Sequence, residues 1–294
     1  MRMEPARQAA AAPFGVSALG KEEHEALMAG LRRSIARLEQ SLPQLGKTRR
    51  PATPWTLGIE EIDMHLGLGG LARSGLHDIS PEAYGDMPAA TGFALALAIR
   101  RLGDAAERRP LLWCRLAREE REYGRLYGHG LEALGLSRNR FLTVTLKKPV
   151  AVLWTAEEAL KSGALSLVIS DADPRHANLT ATRRLSLAAH AGKAAGLLIF
   201  SGPHPGPAAS HTRWAIAALR SQPPPYEPQA PGAPAFTVEL LRARSGRPGA
   251  WNVEWHNASH RFAVVSGIRD RALHPWTDES PEIAAAQGPA LRAG

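Results

Sequence analysis

Gly85 is followed by Asp86, Met87 and Pro88 in a stretch that otherwise has the layout of a phosphate-binding loop. Residues 74–100 read SGLHDISPEAYGDMPAATGFALALAIR. Residues 76–80 are short, apolar and strand-like, residues 89–100 carry a long apolar helix pattern, and a Gly-containing loop joins them. Strand, Gly loop and helix aim backbone N–H groups at phosphate. A Lys then reaches the terminal phosphates and a Ser or Thr holds Mg²⁺. Here an anion stands where that cation belongs. A carboxylate facing a triphosphate in a partly desolvated cradle is repelled. Ser80, Pro81, Glu82, Gly85 and Asp86 therefore make a degenerate loop, from which no catalysis, no cofactor and no bound metal are expected.

Other residues of chemical interest surround it. LSLVISDAD is an apolar strand ending in acids, so Asp171, with Asp173 second, stands where a phosphate-loop protein holds Mg²⁺ through water. The plainer reading is that Asp ends strands and caps helices. Glu119 and Glu120 follow the next strand, where an ATPase of this kind activates water; the plainer reading is a solvated charge run that starts a helix. His residues show no ligand spacing, and one Cys is too few for a zinc site. Arg242, Arg244 and Arg247 alternate through a strand and its turn, with Arg261 after them and Trp251 and Trp255 nearby. Aromatics among Arg residues can stack on bases. They equally suit a core face with a solvated back.

The hydrophobic pattern supplies the scaffold. Strands are expected at 76–80, 110–116, 140–146, 165–170 and 196–200, alternating with helices at 89–100, 122–136, 150–162 and 179–191. That alternation means βαβ units and a parallel sheet, and continuously apolar strands such as LLWC mean helices on both faces. Residues 55–75 read as a short helix and a Gly-rich turn. From residue 213 the texture changes to strands at 213–219, 236–242, 251–256 and 261–265, an antiparallel meander with a turn at 245–249. The expected fold is α/β, a mostly parallel sheet flanked by helices with antiparallel C-terminal strands, over residues 54–266.

Outside that core, residues 1–20 read as a disordered tail and 267–294 as a mobile one. Between them and the core, residues 21–53 hold an amphipathic helix and a linker. Leu27, Leu31, Ile35, Leu38 and Leu42 recur at helical spacing, with Glu residues early and Arg residues late, as the helix dipole favours. Such a stripe must be buried on its own domain, on a partner or on a neighbouring copy.

Composition bounds the function. A chain of 294 residues with 44% apolar and 22% charged residues is an ordinary globular protein with one large core. No apolar run approaches the roughly 20 residues of a membrane span, and the N-terminus lacks a signal-peptide core. The reading is cytoplasmic. Cys114, the single cysteine, is expected as a small buried hydrophobe. The net charge of +8, mostly from Arg, favours acidic partners, nucleic acid among them.

From about residue 54 to 202 the chain resembles RecA. LGIEEIDMHLGLGGLARSGLHDISPEAYGD is similar to the RecA approach to its phosphate loop, with Pro81, Glu82 and Gly85 matching. Asp86 replaces the RecA lysine, and Met87 and Pro88 its two threonines. EEALKSGALSLVISDAD resembles the stretch ending in the RecA Mg²⁺ aspartate, which aligns with Asp171. Ser201-Gly202 stands where RecA has an Asn-Gln sensor pair, and the first DNA loop is shortened to residues 172–178. Together these departures imply that ATP-driven strand exchange is gone.

LYGHGLEALGL, ALKSGALSLV, HTRWAIA and VELLRARSGRPGAWNVEW extend the similarity to about residue 257, and they resemble the ImuA family of RecA-like proteins that lack the phosphate-loop lysine. The resemblance implies a non-catalytic accessory of SOS-linked translesion synthesis. Its implied partners are ImuB, a Y-family-polymerase-like protein, and an error-prone C-family DNA polymerase, with RecA, DNA or another copy of the chain as further candidates. A residual ATPase and a SulA-type division inhibitor are the rival readings.

Overall fold

The computed structural model describes residue 30 and residues 55–67, 69–202, 206–224, 226–227 and 229–265. The expected helix carrying Leu27, Leu31, Ile35, Leu38 and Leu42 lies outside the described residues apart from Gly30, as do both terminal tails. Among the described residues, the helices are α1 (Glu60–His65), α2 (Met87–Leu102), α3 (Ala117–Tyr123), α4 (Gly128–Ala133), α5 (Pro149–Lys161) and α6 (Leu179–Ala191). The strands are β1 (Leu76–Pro81), β2 (Leu111–Leu116), β3 (Phe141–Leu146), β4 (Leu167–Ala172), β5 (Ala195–Phe200), β6 (Thr212–Leu219), β7 (Ala235–Ala243), β8 (Gly249–His256) and β9 (Arg261–Val264).

All nine strands form one sheet in the order β3-β2-β4-β5-β1-β6-β7-β8-β9. The first six in that row pair in parallel, and β6 to β9 pair antiparallel. β6 is the hinge of the arrangement, parallel to β1 on one side and antiparallel to β7 on the other. No helix among the described residues is long and apolar enough to cross a membrane.

The parallel strands are apolar on both faces because each face meets a separate core. Leu197 and Ile199 of β5 face the core built on α2, while Leu198 and Phe200 face the core built on α5 and α6. Cys114 is buried in the second core, where burial pushes its thiol far up. On the first face the antiparallel strands curl over α2. Phe93 of α2 lies with its ring centroid 5.7 Å from Trp214 of β6, 6.2 Å from Phe236 of β7 and 5.5 Å from Phe262 of β9.

One expected helix, 122–136, is instead two short ones. α3 starts earlier, at Ala117, and Gly124 breaks it at φ 84, a left-handed angle that disfavours side chains. The chain becomes helical again only at Gly128.

The carboxyl edge of the parallel sheet

β1 delivers the loop at residues 82–86 to the carboxyl edge of the sheet. Tyr84–Asp86 is a single 3-10 turn, and α2 follows from Met87. Asp86 turns its carboxylate back into this loop. One oxygen accepts from the Ala83 N–H at 3.0 Å, and the other accepts from the Ala218 N–H of β6 at 2.9 Å. The Glu82 N–H donates to the Ile216 carbonyl at 2.9 Å. The loop is thus stitched to β6. Pro88, in the first turn of α2, has no N–H to offer. Ser80, just below, keeps its hydroxyl buried with no hydrogen-bond partner among the described residues. Gly85 lies in open space, and Pro81 ends β1 opposite Ile216.

Asp171 is 4% exposed and fully engaged. It accepts from the Trp113 indole N–H at 2.9 Å and, through its other oxygen, from the Leu116 N–H at 2.9 Å, with the Arg115 guanidinium at 3.5 Å. Burial pushes its carboxyl above the usual range, and those three donors pull it back. The group ties β4 to β2. Asp173 accepts from the Arg175 N–H at 2.9 Å and faces Arg118 at 3.5 Å.

The charge run at 118–122 is solvated only in part. Glu119 is 4% exposed and accepts from Arg118 at 2.8 Å; Arg118 also reaches the Ser201 hydroxyl at 3.4 Å. The expectation of a wholly solvated run fails here. α3 begins directly at the strand end, and its first turn points Glu119 inward. Glu120 pairs with Arg125 at 3.3 Å, and Arg121 and Glu122 are exposed.

The four C-terminal arginines do not form one patch. Arg242, Arg244 and Arg247 are exposed together around the β7–β8 turn, where Arg242 donates to the Ala208 carbonyl at 3.0 Å and the Arg247 N–H to the His65 carbonyl at 3.0 Å. Arg261 pairs with His256, at the opposite end of β8 from Gly249. Eight strand residues separate those ends by about 24 Å. As expected from alternation, Trp251, Val253 and Trp255 share the buried face of β8.

Sequence reasoning missed a different cluster. Arg121, Tyr123, Arg125, Tyr127 and His129 occupy every second position of a segment that leaves α3 and enters α4. Reading it as one helix concealed that alternation. Gly124, Gly128 and Gly130 were the signal against a helix.

The fold and this edge define an α/β protein whose first strand–loop–helix turn is tied to β6 by the carboxylate of Asp86. No family model matches the sequence. The chain is 30% identical over 236 residues to "Protein ImuA" of Caulobacter vibrioides strain NA1000 / CB15N, a match covering 76% of this chain and 93% of that protein. The protein of the same name from C. vibrioides strain ATCC 19089 / CIP 103742 / CB 15 matches to the same extent. The chain belongs to the ImuA family.

Proposed function

We propose that this chain is a non-catalytic accessory of damage-induced translesion DNA synthesis. In this reading a RecA-like core serves as a scaffold for ImuB and an error-prone C-family DNA polymerase. Family membership supports the pathway, and the strand–loop–helix start of a parallel sheet supports the RecA-like description. The observation that carries the non-catalytic reading is Asp86. Its carboxylate holds the Ala83 and Ala218 N–H groups, so the loop presents a triphosphate with a negative charge and no lysine. Asp171, in the strand-end position of a Mg²⁺ ligand, already accepts from Trp113 and Leu116.

Two measurements test this. The full chain is co-expressed with candidate polymerase subunits and compared with chains lacking residues 1–45 or 267–294. Co-purification is expected, and its absence with every subunit overturns the scaffold role. Melting is then followed with Mg·ATP, where a ligand at 100 times its Kd would add about 2.7 kcal/mol. An unchanged melting curve is expected. ATP hydrolysis with Asp86 intact would overturn the non-catalytic reading.

A further inference from the structure

The segment between α3 and α4 packs Tyr123 and Leu126 against the core and leaves other large side chains in the open. Tyr127 is 71% exposed and Tyr84, beside the loop, 66%. Both rings stand in the open, each beside a second ring. The Tyr84 hydroxyl donates to Glu122, and its ring lies 6.1 Å from that of Tyr123. The Tyr127 ring lies 5.4 Å from that of His129, whose Nδ1 accepts from Arg138 at 2.7 Å. Arg121, exposed, precedes Tyr123 in the chain, and Arg125, whose side chain is 87% exposed, lies between Tyr123 and Tyr127. The acids nearby are spoken for: Glu120 faces Arg125, Glu122 accepts from Tyr84, and Glu132 pairs with Arg138 at 2.7 Å. Gly124 and Gly128 leave the intervening backbone uncovered.

Exposed rings with interleaved guanidinium groups suit one class of ligand. Every nucleobase has a face that stacks on an aromatic ring, and every phosphate between bases attracts Arg. Tyr123 and Tyr127 are at most about 14 Å apart along the chain, so several bases can be met in succession. A duplex hides its base faces, so a single strand fits and a duplex does not.

We infer that residues 121–129, with Tyr84 beside them, form a binding track for single-stranded polynucleotide. Bases stack on Tyr84, Tyr127 and His129, and Arg121 and Arg125 meet the phosphates. The track reads no sequence, because stacking and phosphate contacts are sequence-tolerant. This inference stands on the surface itself and does not depend on the scaffold role.

The test is fluorescence anisotropy of the full chain with labelled oligo-dT, an RNA of equal length and a duplex, between 50 and 200 mM salt. The single strands are expected to bind, more weakly as salt rises, and the duplex much less. Stacking is worth about 1–3 kcal/mol per base, so Tyr127→Ala is expected to weaken binding roughly 5- to 100-fold. Arg125→Ala is expected to lower the logarithmic salt slope by about 0.7. Both side chains are exposed, and unchanged melting temperatures check that the fold is intact. Arg244→Ala with Arg247→Ala, at the β7–β8 turn, is expected to leave binding unchanged. No binding at 50 mM salt overturns the inference. So does binding lost in the turn variant but kept in Tyr127→Ala, equal binding of the duplex, or capture of free nucleotide without capture of the oligonucleotide.

Discussion

At the amino end of the parallel sheet, His77 of β1 is fully buried and both ring nitrogens are in use. Nε2 lies 2.9 Å from the Ala72 carbonyl, which only accepts, so Nε2 carries the proton. Nδ1 then accepts from the Thr212 hydroxyl at 2.8 Å, and that oxygen in turn accepts from the Trp214 indole at 2.9 Å. The network is neutral and closed. At the carboxyl end, the buried groups are charged. Asp171 and Asp86 hold backbone N–H groups, Arg118 bridges Glu119 and Asp173, and Tyr84, Tyr127 and Arg125 face water. The amino end buries charge too, Arg101 against Glu107 at 3.1 Å in the stretch that leads into β2, but it displays none of these groups. The carboxyl end spends its polar groups on fixing backbone and displays the remainder, at the edge where parallel sheets generally bind ligands.

The largest expected effect sits at the carboxyl end. Asp171→Ala leaves the Trp113 indole and the Leu116 N–H without a partner and the Arg115 charge uncompensated. Breaking a buried pair from one side costs about 3–5 kcal/mol. Urea unfolding at pH 7 measures it, and a loss below about 1 kcal/mol would mean this carboxylate is not structural.

The amino end yields the next effect, driven by acid. Burial lowers His77 from 6.5 to about 4. Between those values the unfolded chain takes up a proton that the folded chain refuses, so stability present above pH 6.5 is lost as pH falls toward 4. The loss is about 3 kcal/mol over that window. Comparing the natural chain with His77→Gln from pH 7 to 4 isolates it, because glutamine does not titrate. Parallel stability curves would show that the closed network does not oppose protonation.

Asp86→Ala is the smallest of the three. Asp86 is only half-buried, so water replaces its carboxylate at the Ala83 and Ala218 N–H groups, and the loss is about 1 kcal/mol. Its signature is local, faster hydrogen exchange at those two amides. Unchanged exchange would remove Asp86 from the loop's architecture.

Much of this fold is legible because apolar strands and amphipathic helices announce themselves. The helix expected at 179–191 matches α6, and the strand expected at 76–80 gains only Pro81. The failures share a cause. Nothing local distinguishes Glu119 from Glu120; which of them is buried depends on how α3 sits against β2. The partner of Asp171 is Trp113, 58 residues away, and strand register decides that meeting. The same holds for Arg261, which the chain places near its fellow arginines and the antiparallel register carries to the other end of β8. At 124–130 the glycines mark a break that reading 122–136 as one helix passes over.

Pro88 fixes a limit at this helix end. The first turn of α2 has one amide hydrogen fewer than an uninterrupted helix N-terminus offers, and no change at position 86 can supply it. A lysine placed at position 86 would add positive charge without adding that donor. Charge and hydrogen-bonding capacity at this end are therefore set by separate residues and change independently.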